Sequence, residues 1–150
     1  MVEENAQGGR KVTLAESCTG GLVCAALTEI PGSSAVLERG FVTYSNEAKI
    51  ESLGVPQDLI ETFGAVSVAC AWAMAKGALE RSNADVAVAI SGIAGPSGGT
   101  ELKPVGTVVF ARVLRGEDTA PDGEMRHFEA TDRSEIRRQA TLCALELLLP

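Results

Sequence analysis

A single histidine, His127, in a chain of 150 residues removes any metal site that needs two histidines and leaves a Ser-His-Asp triad dependent on that one side chain. His127 falls inside a predicted strand, where a sheet-face or surface position is the plainer reading. Without a histidine base, a serine nucleophile needs another proton acceptor, and a lysine with a lowered pKa is the physical alternative. Lys49 is the candidate. It lies five residues after Tyr44, just past a predicted strand end, where burial and helix N-terminal dipoles would both oppose its charge. Ser17 sits at another strand-to-helix turn, Glu16-Ser17-Cys18-Thr19-Gly20-Gly21, where the N–H groups of Thr19, Gly20 and Gly21 could point at an oxyanion or a phosphate. Two glycines there let a ligand approach the backbone closely. Each residue also has a plainer role: Ser17 or Thr19 as a helix cap, Tyr44 as a half-buried strand residue, Lys49 as a solvated helix lysine. Spacing alone leaves these readings side by side.

The remaining motifs mostly exclude. The loop Ser91 to Gly99, with Gly92, Gly95, Gly98 and Gly99, matches neither the dinucleotide nor the P-loop glycine pattern, although a loop of this length in a compact domain usually has a function or is disordered. No Ser-x-x-Lys pair occurs, so a β-lactamase-like site is unsupported. The four cysteines, Cys18, Cys24, Cys70 and Cys143, form no Cys-x-x-Cys pair and lack the paired spacing of a zinc site. They read as buried free thiols of a reducing compartment.

The elements that must position these residues follow from periodicity and punctuation. Val12 to Ala15 reads as a strand, and Leu22, Val23, Ala26, Leu27 and Ile30 recur at helical spacing after the turn. Pro31 to Ser34 breaks the chain, and Val36 to Tyr44 reads as the next strand. A helix begins near Ser45 or Asn46. Pro56 opens another that Gly64 ends, and Ser67 caps a longer one with Val68, Ala71, Trp72, Ala75 and Leu79 on one face. Val86 to Ile90 is continuously apolar, as a central strand covered on both faces would be. Gly106 to Leu114 and Met125 to Ala130 read as a hairpin across the Gly116 to Gly123 turn region. Asp132-x-x-Glu135 then opens a last helix with Ile136, Ala140, Cys143 and Leu147 as its buried stripe. This alternation predicts an α/β fold: a three-layer α/β/α sandwich whose sheet is mixed and mostly parallel, with a C-terminal hairpin plus helix. Both glycine-bearing loops then fall at carboxyl ends of strands, where ligands gather in such sheets.

Composition sets the outer bounds. One core is expected, because a chain of this length buries roughly 70% of its unfolded surface. With 45% hydrophobic and 22% charged residues, disorder of the whole chain is excluded. A net charge of -7 and a pI near 4.7, with few aromatic residues, argue against a nucleic-acid partner. The uncharged runs Thr62 to Ala75 and Val86 to Thr100 are too short to span a membrane. The opening MVEENAQGGR has no apolar signal core, so a cytoplasmic location is the expectation. Residues 1–10 are taken as a polar N-terminal segment and 11–150 as one domain.

The strings AESCTGG (Ala15 to Gly21), VTYSNEAK (Val42 to Lys49), SGIAGPSGGT (Ser91 to Thr100) and KPVGTV (Lys103 to Val108), in this order, resemble the carboxy-terminal domain family of CinA. DRSEIRRQATLCALELL fits as well, so the resemblance covers roughly residues 11 to 149. Family members include nicotinamide mononucleotide amidohydrolases, which convert that nucleotide and water into nicotinate mononucleotide and ammonia in pyridine nucleotide salvage, without a metal or other cofactor. The resemblance implies Ser17 as nucleophile, Lys49 as its base and Tyr44 as the group that orients or relays the proton. It implies that N–H groups around Thr19, Gly20 and Gly21 hold the oxyanion, and that Ser91, Gly92, Gly95 and Gly98 shape the nucleotide pocket. A cation for the phosphate would come from Lys103, Arg133, Arg137 or Arg138, with Lys103 and Arg137 put forward. The partner is then a small-molecule nucleotide. The alternative is a non-catalytic nucleotide-binding or regulatory module of the same family. Long family members carry a further amino-terminal domain absent here, and family domains usually have a helix ahead of the first strand. If the short polar segment leaves that helix out, a bared surface would favour homo-oligomerisation.

Overall fold

The computed structural model describes residues 1–117, 122–129 and 132–150. Five strands form one sheet in the order β2-β1-β3-β4-β5. They are β1 (Val12–Glu16), β2 (Leu37–Val42), β3 (Val86–Gly92), β4 (Thr107–Leu114) and β5 (Asp122–His127). The pairings of β1 with β2 and with β3 are parallel, and those of β4 with β3 and with β5 are antiparallel. Only β4 therefore runs against the other strands, and the carboxyl ends of β2, β1 and β3 lie side by side. The α/β/α sandwich read from the sequence is the observed fold.

Alternation along the strands sorts their side chains onto two unlike faces. Val12, Leu14, Val86, Val88, Ile90, Val108 and Phe110 pack against α2 (Leu22–Thr28) and α6 (Arg133–Leu147). Ala15, Ala87, Ala89, Val109 and Ala111 face α3 (Asn46–Leu53), α4 (Gln57–Phe63) and α5 (Val68–Glu80). The second face is mostly alanine, and α5 answers it with Ala71, Ala75 and Ala78. Small side chains on both sides let this helix lie close to the sheet. Where α5 crosses the end of α3, Gly77 meets the carbonyl of Leu53 so tightly that a Cβ has no room.

Local caps explain where helices start. Ser45 accepts from the Ala48 N–H, Ser67 from the Cys70 N–H and Asp132 from the Glu135 N–H, each satisfying a donor that the first helical turn leaves free. Pro56 and Gly64 flank α4 as the sequence predicts.

Two expectations are corrected. Residues 1–10 are not merely a polar segment: Val2–Gln7 form α1, which buries Val2 and Asn5. Six residues do not hold a helix alone; α1 is held because Asn5 donates to the Leu148 carbonyl at 3.0 Å and Val2 joins the core beside Leu148. The bared surface that motivated homo-oligomerisation is thus covered at this point. The hairpin register also differs. β5 begins at Asp122 and ends at His127, with Asp122 opposite Arg112 and the two side chains paired at 3.1 Å. The sequence pattern assigns Gly123 to the turn, but it pairs beneath Val68 of α5, where a Cβ would lie 2.6 Å from a Val68 methyl. Ala130, the expected end of that strand, and residues 118–121 of the expected turn lie outside the described residues. All four cysteines are free; Cys18, Cys70 and Cys143 are buried and Cys24 is half-buried.

Candidate active site

β1 ends in a buried carboxylate. Glu16 points to the α2 face, where Oε1 accepts from Thr19 Oγ1 at 2.7 Å, Gly21 N–H at 3.2 Å and Val23 N–H at 3.0 Å, and Oε2 accepts from Cys24 N–H at 3.1 Å. This carboxylate closes the N-terminus of α2, satisfying its free donors and its positive dipole end together. The turn between them needs left-handed backbone at Gly20 (φ 58°) and Gly21 (φ 103°), which explains the glycine pair. Sequence reasoning missed Glu16; the available signal was a carboxylate ending an otherwise apolar strand directly before a helix start.

This arrangement corrects the oxyanion expectation. The Gly20 N–H donates to the Ser17 carbonyl at 3.0 Å and the Gly21 N–H to Glu16, so neither is free for a ligand. Among the described residues, no protein hydrogen bond engages the N–H groups of Cys18 and Thr19. These become the candidate oxyanion donors.

Ser17 is 6% exposed and Lys49, on the first turn of α3, is 1% exposed. Lys49 Nζ lies 3.0 Å from Ser17 Oγ. Its other neighbours are backbone carbonyls, those of Thr43 at 2.9 Å, Tyr44 at 3.2 Å and Ser45 at 3.5 Å. No carboxylate pairs with Lys49 among the described residues, and burial pushes its pKa below the usual lysine value, against a smaller opposing pull from the Cys70 and Cys18 sulfurs. A neutral amine donates two hydrogens, so with the Thr43 and Tyr44 carbonyls taking both, its lone pair is left facing Ser17. Once protonated, the same amine has a third hydrogen for Ser17 and two carbonyl dipoles to support its charge. Cys18, next to Ser17, does not compete as nucleophile: burial pushes its thiol up to about 11, far from the thiolate form at neutral pH.

Tyr44 enters the pair only through its carbonyl. Its phenol is 61% exposed and accepts from Arg133 Nη2 at 2.8 Å, and it makes no hydrogen bond to Ser17 or Lys49. Arg133 also donates to the Gly95 carbonyl at 2.7 Å. One turn later Arg137 donates to the carbonyls of Cys18 and Thr19 at 3.0 and 3.2 Å. The two arginines of α6 thus clamp the glycine loop and the Ser17 turn, where spacing alone favours an exposed pair. Lys103 reaches the Phe63 carbonyl at 3.1 Å, tying the far side of the glycine loop to the end of α4.

Ser91 is 2% exposed and follows Ile90, whose carbonyl accepts the Ser17 N–H at 2.9 Å; it is therefore the neighbour of Ser17 on β3. Gly92 and Gly95 are glycines for packing, since a Cβ at Gly92 would lie 2.8 Å from a Val108 methyl and one at Gly95 2.5 Å from a Val105 methyl. Gly98 is exposed and meets no such neighbour. His127 is an exposed strand residue whose Nε2 lies 3.1 Å from the Val105 carbonyl. Among the described residues no cluster of three or more His, Cys, Asp or Glu side chains is arranged to hold a metal, and no helix is long and apolar enough to cross a membrane.

A buried serine-lysine pair at the carboxyl ends of a mixed sheet, between two helical layers, defines this as an α/β/α protein with a candidate nucleophile site. The family model described as CinA C-terminal domain matches residues 1–150, and the chain belongs to that family. It is 54% identical, over 93% of its length and 83% of the relative's, to the nicotinamide-nucleotide amidohydrolase PncC of Escherichia coli strain K12. It is 53% identical to a CinA-like protein of Akkermansia muciniphila over 96% of this chain but 34% of that protein. The chain therefore spans about a third of the length of the long CinA-like relatives it matches. Among solved structures, the competence/damage inducible protein CihA from Agrobacterium tumefaciens superposes with a TM-score of 0.93 at 49% identity, covering 98% of this chain and 88% of that one. A CinA superfamily protein from Escherichia coli gives a TM-score of 0.90 at 38% identity, covering 98% of this chain and 83% of that one.

Proposed function

We propose that this protein hydrolyses the carboxamide of nicotinamide mononucleotide to the carboxylate, releasing ammonia, with Ser17 as nucleophile and Lys49 as general base and acid. The observation that carries the reading is the 3.0 Å contact between Ser17 Oγ and a lysine amine that is buried, caged by carbonyls and, among the described residues, without a carboxylate partner. The amidohydrolase relative that aligns over 93% of the chain supplies the substrate class.

In the first half-reaction Ser17 Oγ attacks the carboxamide carbon as its proton passes to Lys49 Nζ. The oxyanion forms toward the free N–H groups of Cys18 and Thr19, where aligned donors stabilise developing charge without reorganising. Collapse breaks the C–N bond while Lys49 returns the proton to nitrogen, and ammonia leaves. Water then gives a proton to Lys49 and attacks the acyl carbon, and Ser17 recovers its hydrogen. Burial favours the neutral form of Lys49 at the start of each step, and the carbonyl cage holds the charge it gains.

The nucleotide phosphate requires a cation in an acidic protein. The candidates are Arg137, bonded to the Ser17 turn, Arg133, bonded to the glycine loop and the Tyr44 phenol, and Lys103 beside the glycine loop. The test is ammonia release from nicotinamide mononucleotide by wild type and Ser17→Ala side by side. Turnover that disappears in the variant supports the assignment, and no turnover by a folded wild type overturns it.

A further inference from the structure

Three hydroxyl residues stand in one row across the carboxyl ends of β2, β1 and β3. The ladder continues past the strands: the Thr43 N–H donates to the Glu16 carbonyl and the Ser17 N–H to the Ile90 carbonyl, each at 2.9 Å. With Val42 opposite Glu16 and Glu16 opposite Ile90, Thr43, Ser17 and Ser91 become transverse neighbours. Alternation puts all three on the face of Ala15 and Ala89, under α3 and α5. They are 1%, 6% and 2% exposed, respectively. Ser17 meets Lys49. Thr43 Oγ1, by contrast, is buried with no hydrogen-bond partner, although the carbonyl of the same residue holds Lys49 Nζ at 2.9 Å. A buried hydroxyl left unpaired beside a reacting pair calls for a partner from outside the chain.

We infer that Thr43 Oγ1 is the acceptor for the leaving nitrogen of the carboxamide. This rests on the amidohydrolase reading above. The nitrogen must receive its proton from Lys49 Nζ, and of the three carbonyls that hold that amine the Thr43 carbonyl makes the shortest bond, at 2.9 Å, so the nitrogen end of the carboxamide falls on the Thr43 flank of Ser17. The oxygen end turns toward the Cys18 and Thr19 N–H groups. In the bound state one amide N–H donates to Thr43 Oγ1. As the C–N bond breaks, Lys49 delivers the proton that Ser17 gave it, and the nitrogen leaves as ammonia. The attacking water then enters the same place, donating one hydrogen to Thr43 Oγ1 and losing the other to Lys49. Thr43 itself neither gains nor loses a proton.

The experiment compares wild type, Thr43→Val, Thr43→Ser and Ser17→Ala on nicotinamide mononucleotide, with kcat and KM from ammonia release and a thermal melt of each protein. Valine keeps the shape and removes the acceptor. The expected result is a fall in kcat of about 10- to 100-fold for Thr43→Val, with KM changed by less than about threefold, and recovery to within about threefold of wild type in Thr43→Ser. A wild-type kcat in Thr43→Val overturns the role of Thr43 and leaves the amidohydrolase reading standing. So does an equal loss in the valine and serine variants, or a change in KM alone, since either marks a packing role. An inactive, folded wild type overturns the amidohydrolase reading and this inference with it. If Thr43→Val loses its native melt, Thr43→Ala takes its place against Thr43→Ser with the same criteria.

Discussion

Replacing Glu16 by glutamine should weaken the whole protein although it changes one atom. With the observed contacts kept, the amide oxygen takes the place of Oε1, retaining the bonds from Thr19 Oγ1, Gly21 N–H and Val23 N–H, and the NH2 takes the place of Oε2 opposite the Cys24 N–H. One donor is then buried facing another donor, which costs about 1–3 kcal/mol. The three retained bonds lose their charge assistance, roughly half their strength, for about another 2–3 kcal/mol. The cheaper burial of a neutral group offsets about half of the sum, leaving a net loss of about 1.5–3 kcal/mol. Against a total stability of about 5–15 kcal/mol, this shows as a fall in Tm of about 3–12 °C for a chain of this size. Urea denaturation at neutral pH, with Thr19→Val and the double variant alongside, measures it. The two side chains share one network, so their effects should be less than additive by about 1 kcal/mol. A Glu16→Gln loss under about 1 kcal/mol, or strict additivity with Thr19→Val, would refute the claim that this carboxylate organises the turn carrying Ser17.

Ser17→Ala and Lys49→Met should each lower the rate of ammonia release by about 1,000-fold or more while preserving the circular dichroism spectrum; residual activity above about a tenth of wild type in either would remove that residue from the chemistry. Because the base must be neutral, kcat/KM should rise with pH on an acid limb lying below the ordinary lysine value of 10.5, and a limb at or above that value would contradict the burial effect. The same shift acts on stability: between the lowered folded pKa and 10.5 the unfolded chain binds the extra proton, so unfolding free energy should increase with pH across this window. That slope should flatten in Lys49→Met, measured by urea titrations at several pH values. Gly77→Ala should lose about 2 kcal/mol or more in the same assay, because its methyl meets the Leu53 carbonyl backbone rather than a side chain that could move. Arg133→Ala, which frees Gly95 and Tyr44 together, should raise KM by about tenfold with a smaller effect on kcat, and an unchanged KM would exclude it from the substrate rim.

What the sequence made legible was whatever is decided within a few residues. Ser45, Ser67 and Asp132 each cap a helix through the N–H three positions on, and glycines 20 and 21 are required by the dihedrals of their own turn. The strand-helix order then placed Ser17 and Lys49 at neighbouring strand ends, although the contact between them depends on the parallel pairing of β1 with β2. Features decided at long range were not legible. Arg137 reaches a carbonyl 119 residues away, and nothing in its own segment distinguishes it from a solvated arginine. α1 is held by a partner 143 residues away, through Asn5. Which N–H groups of the Ser17 turn stay free was hidden for a subtler reason: it depends on the Ser17 carbonyl and on the Glu16 side chain, whose direction is fixed by the face of the sheet it occupies.

The cage around Lys49 limits how this site can be retuned. Where a base is held by an acidic neighbour, one substitution of that neighbour can move the working pH by a large step, and selection can try many such steps. Here, apart from Ser17 Oγ, the groups in contact with the amine are main-chain carbonyls of three consecutive residues, which every substitution except one that moves the backbone leaves in place. The sulfurs of Cys70 and Cys18 are the nearby side-chain influences, and both are locked in the packed interior. A lineage adapting to more acidic or alkaline surroundings would therefore have to change how tightly the α3 and α5 layer closes over the amine, a coupled and gradual adjustment rather than a single-residue switch.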